Sequence, residues 1–167
     1  GSLDGVHDAA AFNAVVRNGS IWDFDGAGVF LPGSGSAASD LRVRQCGAAG
    51  VYVGEGGTIE RTTVEFCSGD GFQIVEGTIT RCAARLNGGY GFLLNGGGAI
   101  DCVADQNTLG DFWALDGTVL ERCDSFGAQA RGFQIGDDCV LRACKARQSR
   151  LLGIVAGENA LIESCLA

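Results

Sequence analysis

The sequence predicts an all-β domain, a parallel β-helix of about 6–7 coils with an N-terminal capping α-helix, and three observations predict it. A Gly or Asp followed by an apolar residue recurs at Gly28-Val29, Gly50-Val51, Gly71-Phe72, Gly91-Phe92, Asp111-Phe112, Gly132-Phe133 and Gly153-Ile154, at intervals of 22, 21, 20, 20, 21 and 21 residues. A period this even marks a solenoid. Other columns keep the same step: Leu41, Thr62, Cys82, Cys102, Cys123, Cys144 and Cys165 in one, and Cys46, Cys67, Asn87, Asn107, Ala128 and Ser149 in another. Within each unit the apolar runs are short alternations such as Phe72-Gln73-Ile74 and Phe133-Gln134-Ile135, too brief for helices and suited to short strands.

In chain order, Asp8 is placed to N-cap a helix through Ala9-Ala10-Ala11-Phe12-Asn13-Ala14-Val15-Val16-Arg17, stopped by Asn18-Gly19. Its Phe12, Val15 and Val16 would close the bottom of the rod. Ile21-Trp22-Asp23-Phe24 and a loop from Pro32 to Ser39 lead in, so residues 1–27 read as cap and lead-in and residues 28–167 as repeats of 20–22 residues. Each repeat holds three short strands and three turns. Every first strand ends in a turn dipeptide (Glu55-Gly56, Glu76-Gly77, Gly96-Gly97, Asp116-Gly117, Asp137-Asp138, Glu158-Asn159) whose second residue tolerates positive φ. Like residues then stack about 4.8 Å apart in a rod about 29 Å long. The chain opens on Gly1-Ser2 and stops at Cys165-Leu166-Ala167 without a capping element, which reads as a fragment or an oligomer subunit, a homotrimer among the possibilities.

Twenty Asp and Glu against 12 Lys and Arg leave a net charge of −8. That sign is wrong for neutralising phosphates or anionic lipid, so neither nucleic acid nor a membrane surface is an expected partner. The apolar stretches are far shorter than the ~20 residues of a transmembrane helix.

The pattern apolar-x-x-Asn/Cys-x-apolar-x-x-Asn ahead of Gly-apolar-x-apolar is fullest in Ile79-Thr80-Arg81-Cys82-Ala83-Ala84-Arg85-Leu86-Asn87 and Gly91-Phe92-Leu93-Leu94. It resembles the repeat of the pectate-lyase-like superfamily. The opening Asp4-Gly5-Val6-His7-Asp8, followed by Ala10, Ala11 and Phe12, is similar to the start of phage tailspikes and mannuronan C5-epimerases. The resemblance implies a single-stranded, right-handed β-helix and a polysaccharide or oligosaccharide partner, in an extracellular or virion-associated setting. Any enzymatic activity would be that of a polysaccharide lyase, an epimerase or a glycoside hydrolase. The superfamily also hosts non-catalytic parts of phage spikes and fibres, and a truncated or engineered β-helix without activity would show the same repeats. Thr58-Ile59-Glu60-Arg61 through Gly71-Phe72 is similar to the coil that leads into the Asp-Pro-His-Glu motif of the epimerases. This chain has Gln73-Ile74-Val75-Glu76 there and keeps only the Glu.

Four groups of side chains are candidates for chemistry. Eight Cys without a C-x-x-C, beside a single His, do not form a zinc pattern and read as a buried ladder of reduced thiols. The carboxylates five residues after each anchor (Glu55, Glu76, Asp116, Asp137 and Glu158) are turn residues, a weak calcium set (Glu55, Asp137, Glu158) or glycosidase acids, for which Glu76, Asp116 and Asp137 are the candidates. If the first and third residues after each anchor point inward, the core holds Phe72, Phe92, Phe112 and Phe133 beside Val53, Ile74, Leu94 and Ile135. The outer side then carries Tyr52, Gln73, Asn95, Trp113 and Gln134, the candidate saccharide-binding residues, beside Val75, Leu93 and Leu115, an apolar patch that equally fits a subunit interface. Arg61, Arg81 and Arg122 form a partial column, either a counter-charge for uronates, a lyase base, or a solvated partner set for nearby carboxylates. No cofactor is called for beyond the possible calcium.

Overall fold

The computed structural model describes residues 4–8 and 12–167. Among them all strand pairs are parallel, because each strand bonds to its counterpart one coil below and one coil above. The first face is an eight-stranded sheet whose strands run up the rod in chain order: Val6–His7, Val29–Leu31, Val51–Val53, Phe72–Val75, Tyr90–Asn95, Gly110–Ala114, Arg131–Ile135 and Leu152–Ala156. The second face climbs from Thr58–Glu60 to Leu161–Glu163, and the third from Thr63–Glu65 to Lys145–Arg147. The two faces merge near the bottom, where Ala37–Cys46 runs unbroken across their shared corner and pairs with both Thr58–Glu60 and Thr63–Glu65. The result is a three-sided β-helix of about seven turns.

The N-terminal region departs from the sequence expectation. Val15, Val16 and Arg17 lie in the strand Val15–Phe24, which pairs along its length with Ala37–Cys46, and no residue from 12 to 17 is helical. Ala9, Ala10 and Ala11 fall outside the described residues. Val15-Val16 and Ile21 are β-branched, and ten residues of strand edge waiting in the next coil outweigh the local helix signal. Residues expected to cap the rod thus supply a coil of it, since Val6–His7 also pairs with Val29-Phe30. The loop from Pro32 ends earlier than expected, with Ala37, Ala38 and Ser39 already in strand.

Two corners explain the fixed columns. Arg61, Arg81, Asp101, Arg122, Ala143 and Ser164 adopt positive φ, and the next residues, Thr62, Cys82, Cys102, Cys123, Cys144 and Cys165, turn inward. The same happens at Gln45, Phe66, Leu86, Gln106, Gly127 and Gln148, ahead of Cys46, Cys67, Asn87, Asn107, Ala128 and Ser149. A left-handed residue bends the strand by one corner, and the residue after it must be small enough to fit inside. All eight Cys are free, and all but Cys165 are buried. Cys102 Sγ donates to the carbonyls of Ile100 (3.4 Å) and Ile79 (3.6 Å), and Cys123 and Cys144 bond in the same way. Burial pushes the Cys82 thiol up, which keeps it protonated.

The inward parity holds. Phe72, Phe92, Phe112 and Phe133 are fully buried and stack with ring centroids 4.9, 4.7 and 4.7 Å apart. The anchor before Phe72, Phe92 and Phe133 is Gly for a steric reason. At Gly71 a Cβ would lie 2.6 Å from the Gly91 carbonyl oxygen and 2.9 Å from both Ala84 Cβ and Asn87 Nδ2.

Asp111 breaks that rule and shows how it can be broken. Asn107 Oδ1 accepts from Asn87 N (3.1 Å) and Asn87 Nδ2 (3.0 Å) one coil below. The next rung of this ladder is Ala128, which has no acceptor. Asp111 reaches into the vacated space, where Oδ1 accepts from Asn107 Nδ2 (2.8 Å) and N (3.3 Å) and Oδ2 from Ser125 Oγ (2.6 Å). Ser125 and Ala128 therefore stand where a Gly anchor would face Ala and Asn.

This carboxylate is fully buried, and burial pushes it up to about 6 in spite of the hydrogen bonds from Ser125 and Asn107. The folded chain binds this proton more tightly than an unfolded Asp near 3.9 does. The resulting stability is fully present below about pH 4 and is lost as pH rises through about 6. Asp111→Asn keeps the acceptor toward Asn107 and can donate to Ser125. Its stability relative to the parent should therefore rise by about 2 kcal/mol between pH 4.5 and 7.5 in urea unfolding. An unchanged difference across that range would remove Asp111 as the titrating group.

Candidate functional site

Because the inner side of the first face is filled by the Phe stack, every second residue must point out. The register places His7, Phe30, Tyr52, Gln73, Leu93, Trp113, Gln134 and Val155 in one outer column, one residue per coil. At its lower end the rings stack: His7 on Phe30 at 5.1 Å and Phe30 on Tyr52 at 5.0 Å. The stack ends at Tyr52, and Gln73 follows it. Higher up, Trp113 leans on Tyr90 at 4.7 Å with the rings tilted by 50°.

Two open clefts flank the step from Tyr52 to Gln73, and both residues line both clefts. The larger, about 360 Å³, is bounded by Asp4, His7, Ala27, Phe30, Ala48 and Ala49. The smaller, about 190 Å³, is bounded by Ile74, Val75, Leu93, Asn95 and Leu115. The polar groups are held in place. Gln73 Nε2 donates to Asp70 Oδ2 at 2.7 Å, and Asp70 Oδ1 accepts from Tyr90 N at 2.6 Å. Asp4 Oδ2 lies 2.6 Å from His7 Nδ1, while its Oδ1 accepts from Ala27 N at 2.6 Å. Arg131 Nη1 donates to Gln134 Oε1 at 2.7 Å.

Of the saccharide-binding candidates, Tyr52, Gln73 and Asn95 come together at these clefts. Trp113 and Gln134 share the column but sit two and three coils above Gln73. The sequence reading missed Asp4, His7 and Phe30. Phe30 stands two residues after Gly28, as Tyr52 does after Gly50, and His7 stands two after Gly5, so the anchor rule extended two coils downward would have found both rings.

The carboxylate column does not form as the sequence suggested. Asp116 Oδ1 accepts from Asp137 N (2.9 Å), and Asp137 Oδ1 accepts from Glu158 N (2.6 Å), so these exposed side chains tie each turn to the one above. Glu76 is out of register with them. The turn from Ile74 to Thr78 is one residue shorter than that from Val53 to Thr58, so Glu76 (φ 47°) takes the left-handed position held by Gly56, Gly96, Gly117, Asp138 and Asn159 in the other coils. In this coil Glu76, not Gly77, carries the positive φ. Glu55, Asp137 and Glu158 do not converge, and no group of three or more His, Cys, Asp or Glu suited to a metal ion exists among the described residues.

The arginine column lies at the corner of the second and third faces, away from the clefts. Arg61 pairs with Asp40 (2.7 Å) and Glu60 (2.6 Å), and Arg122 with Asp101 (2.6 Å) and Glu121. The Arg61 guanidinium holds the Asp40 carboxyl below its ordinary value.

The pattern that defines the right handed beta helix region matches residues 2–114 and 27–166. The chain belongs to that right-handed β-helix family. Its fold is similar to that of the Azotobacter vinelandii mannuronan C-5 epimerase AlgE4 A-module, at 12% identity and a TM-score of 0.67 over 92% of this chain. The pectate lyase Pel9A overlays on 92% of this chain at 16% identity and a TM-score of 0.49. The chain spans about half the length of these structures, 52% and 56%. Comparison with curated protein sequences gives no match.

Asp116 and Asp137 act in coil-to-coil bonding. Asp137→Ala should lower stability by about 0.5–1.5 kcal/mol, the net value of a typical hydrogen bond, and leave any glycan retention at the first face unchanged. Thermal melts and affinity electrophoresis on glycan-loaded gels read the two effects separately.

Proposed function

We propose that this domain binds an extended polysaccharide along the outer first face, centred on Tyr52 and Gln73. The observation that carries the proposal is that these two residues form the shared wall of two adjoining clefts, an aromatic ring beside a fixed amide. Carbohydrate recognition asks for that combination, an apolar surface against the sugar ring and oriented donors and acceptors for its hydroxyls. Asn95 adds a second amide at the smaller cleft. Binding without cleavage is the reading that fits the carboxylates, because Asp116 and Asp137 are occupied with backbone N–H groups and Glu76 is displaced from their column. The likeness to an epimerase module supports a glycan-related role at the level of fold.

A second reading draws on Val75, Leu93 and Leu115, which give the smaller cleft an apolar wall of the kind buried between subunits. In that case the same face would be the contact surface of a homotrimer, as in a phage spike. One variant separates the two. Tyr52→Ala should weaken retention on a polysaccharide array at least roughly tenfold, as loss of a central aromatic anchor does, while light scattering shows an unchanged mass. A parent chain that is trimeric, and that Tyr52→Ala converts to monomer, would instead make the face an interface.

A further inference from the structure

We infer that the saccharide this face accepts is uncharged. The inference rests on the glycan reading above and adds to it the class of sugar. A site for uronates or sulfated sugars needs cations that reach the ligand, since a carboxylate or sulfate buried without a counter-charge loses its hydration for nothing in return. The strands of the first face contain one Lys or Arg, Arg131. It belongs to the coil three above Gln73, about 14 Å up the rod at 4.8 Å per coil, and is bonded to Gln134. The remaining basic side chains lie elsewhere. Arg61 and Arg122 are paired at the far corner, Arg142 pairs with Glu163 on the second face, and Arg42 and Arg44 face Glu65 on the third.

The clefts carry charge of the opposite sign. Asp4 borders the larger one, and Asp70 holds the Gln73 amide from behind. The turn that ends the face adds exposed Glu55 and Glu76. His7 lies against Asp4 at the same cleft. An anionic sugar at Tyr52 would meet two carboxylates and a net field of −8, whereas a neutral pyranose needs only the ring of Tyr52 and the amides of Gln73 and Asn95.

The test is calorimetric titration of the full chain at pH 7.5 with two panels of hexasaccharides of matched length, neutral ones (cello-, xylo-, manno- and malto-oligosaccharides) and acidic ones (oligogalacturonate and oligomannuronate), each at 20 and 300 mM salt. At least one neutral sugar should bind, with an affinity that salt leaves unchanged within about twofold, and every acidic sugar should bind at least roughly tenfold more weakly. Gln73→Arg, which adds a cation between the clefts, should narrow that gap. Tighter binding of an acidic sugar, weakened by salt, would overturn the inference and leave the glycan reading standing. Binding of neither panel, with the chain folded by circular dichroism, would overturn both.

Discussion

The coil-to-coil hydrogen-bond ladder is the constraint on which the rest of this structure depends. A strand edge cannot be left bare, so each coil must offer its N–H and C=O groups to the next in register, and register at a fixed rise forces like positions into columns. Once a column exists, its occupants choose one another. A Gly at the anchor admits the carbonyl of the coil above; a left-handed residue at the corner admits a small buried one behind it. Even bulky Phe66 and Leu86 are held at φ 60° and 54°, a conformation costly for such side chains and imposed by the corner itself.

The same constraint makes departures from the repeat informative, because a change in one rung has to be answered in a neighbouring one. Asp111 fills the anchor position that Gly occupies elsewhere, and the chain answers with Ala128 where the two coils below have Asn and Ser125 where they have Ala84 and Ala104. The acceptor that the Asn ladder needs at that height is thereby supplied from a different column. Glu76 is a second departure. One deleted turn residue moves its carboxylate out of the column by one position, yet the strands on either side keep their pairing. Turns absorb length changes and strands do not, since slipping a strand by one residue would turn the Phe stack outward.

These facts also set what could be read from the amino-acid sequence. The period, the strand parity and the buried columns were legible from Gly28 to Cys165, because each is a repeated local rule and six copies average out the exceptions. The first coil was not legible. Its Val15–Phe24 strand lies outside the short-strand repeat, and its alanine-rich approach mimics a helix start; only the partner strand Ala37–Cys46, equally long, decides the matter. Glu76 was misplaced for the opposite reason: counting from the anchor assumes that every coil has the same turn length, and 20-residue coils violate that. For the candidate site, Tyr52, Gln73 and Asn95 followed from parity alone. Asp4 and His7 reach the cleft only because the first coil exists.

The position of the site follows from the same stacking. Rings repeated in one outer column cover one another's faces, as Phe30 is covered between His7 and Tyr52 at spacings near 5 Å. A ring face becomes open to a ligand only where the column changes character. That happens above Tyr52, where the aromatic series gives way to Gln73, and the smaller side chain opens clefts on both sides of the step. Trp113, though larger, is leaned upon by Tyr90 and borders neither cleft. The proposed recognition surface is thus defined by an interruption in a repeat rather than by any motif within it. In a solenoid of this kind, the rungs that break the pattern are the ones to examine for function.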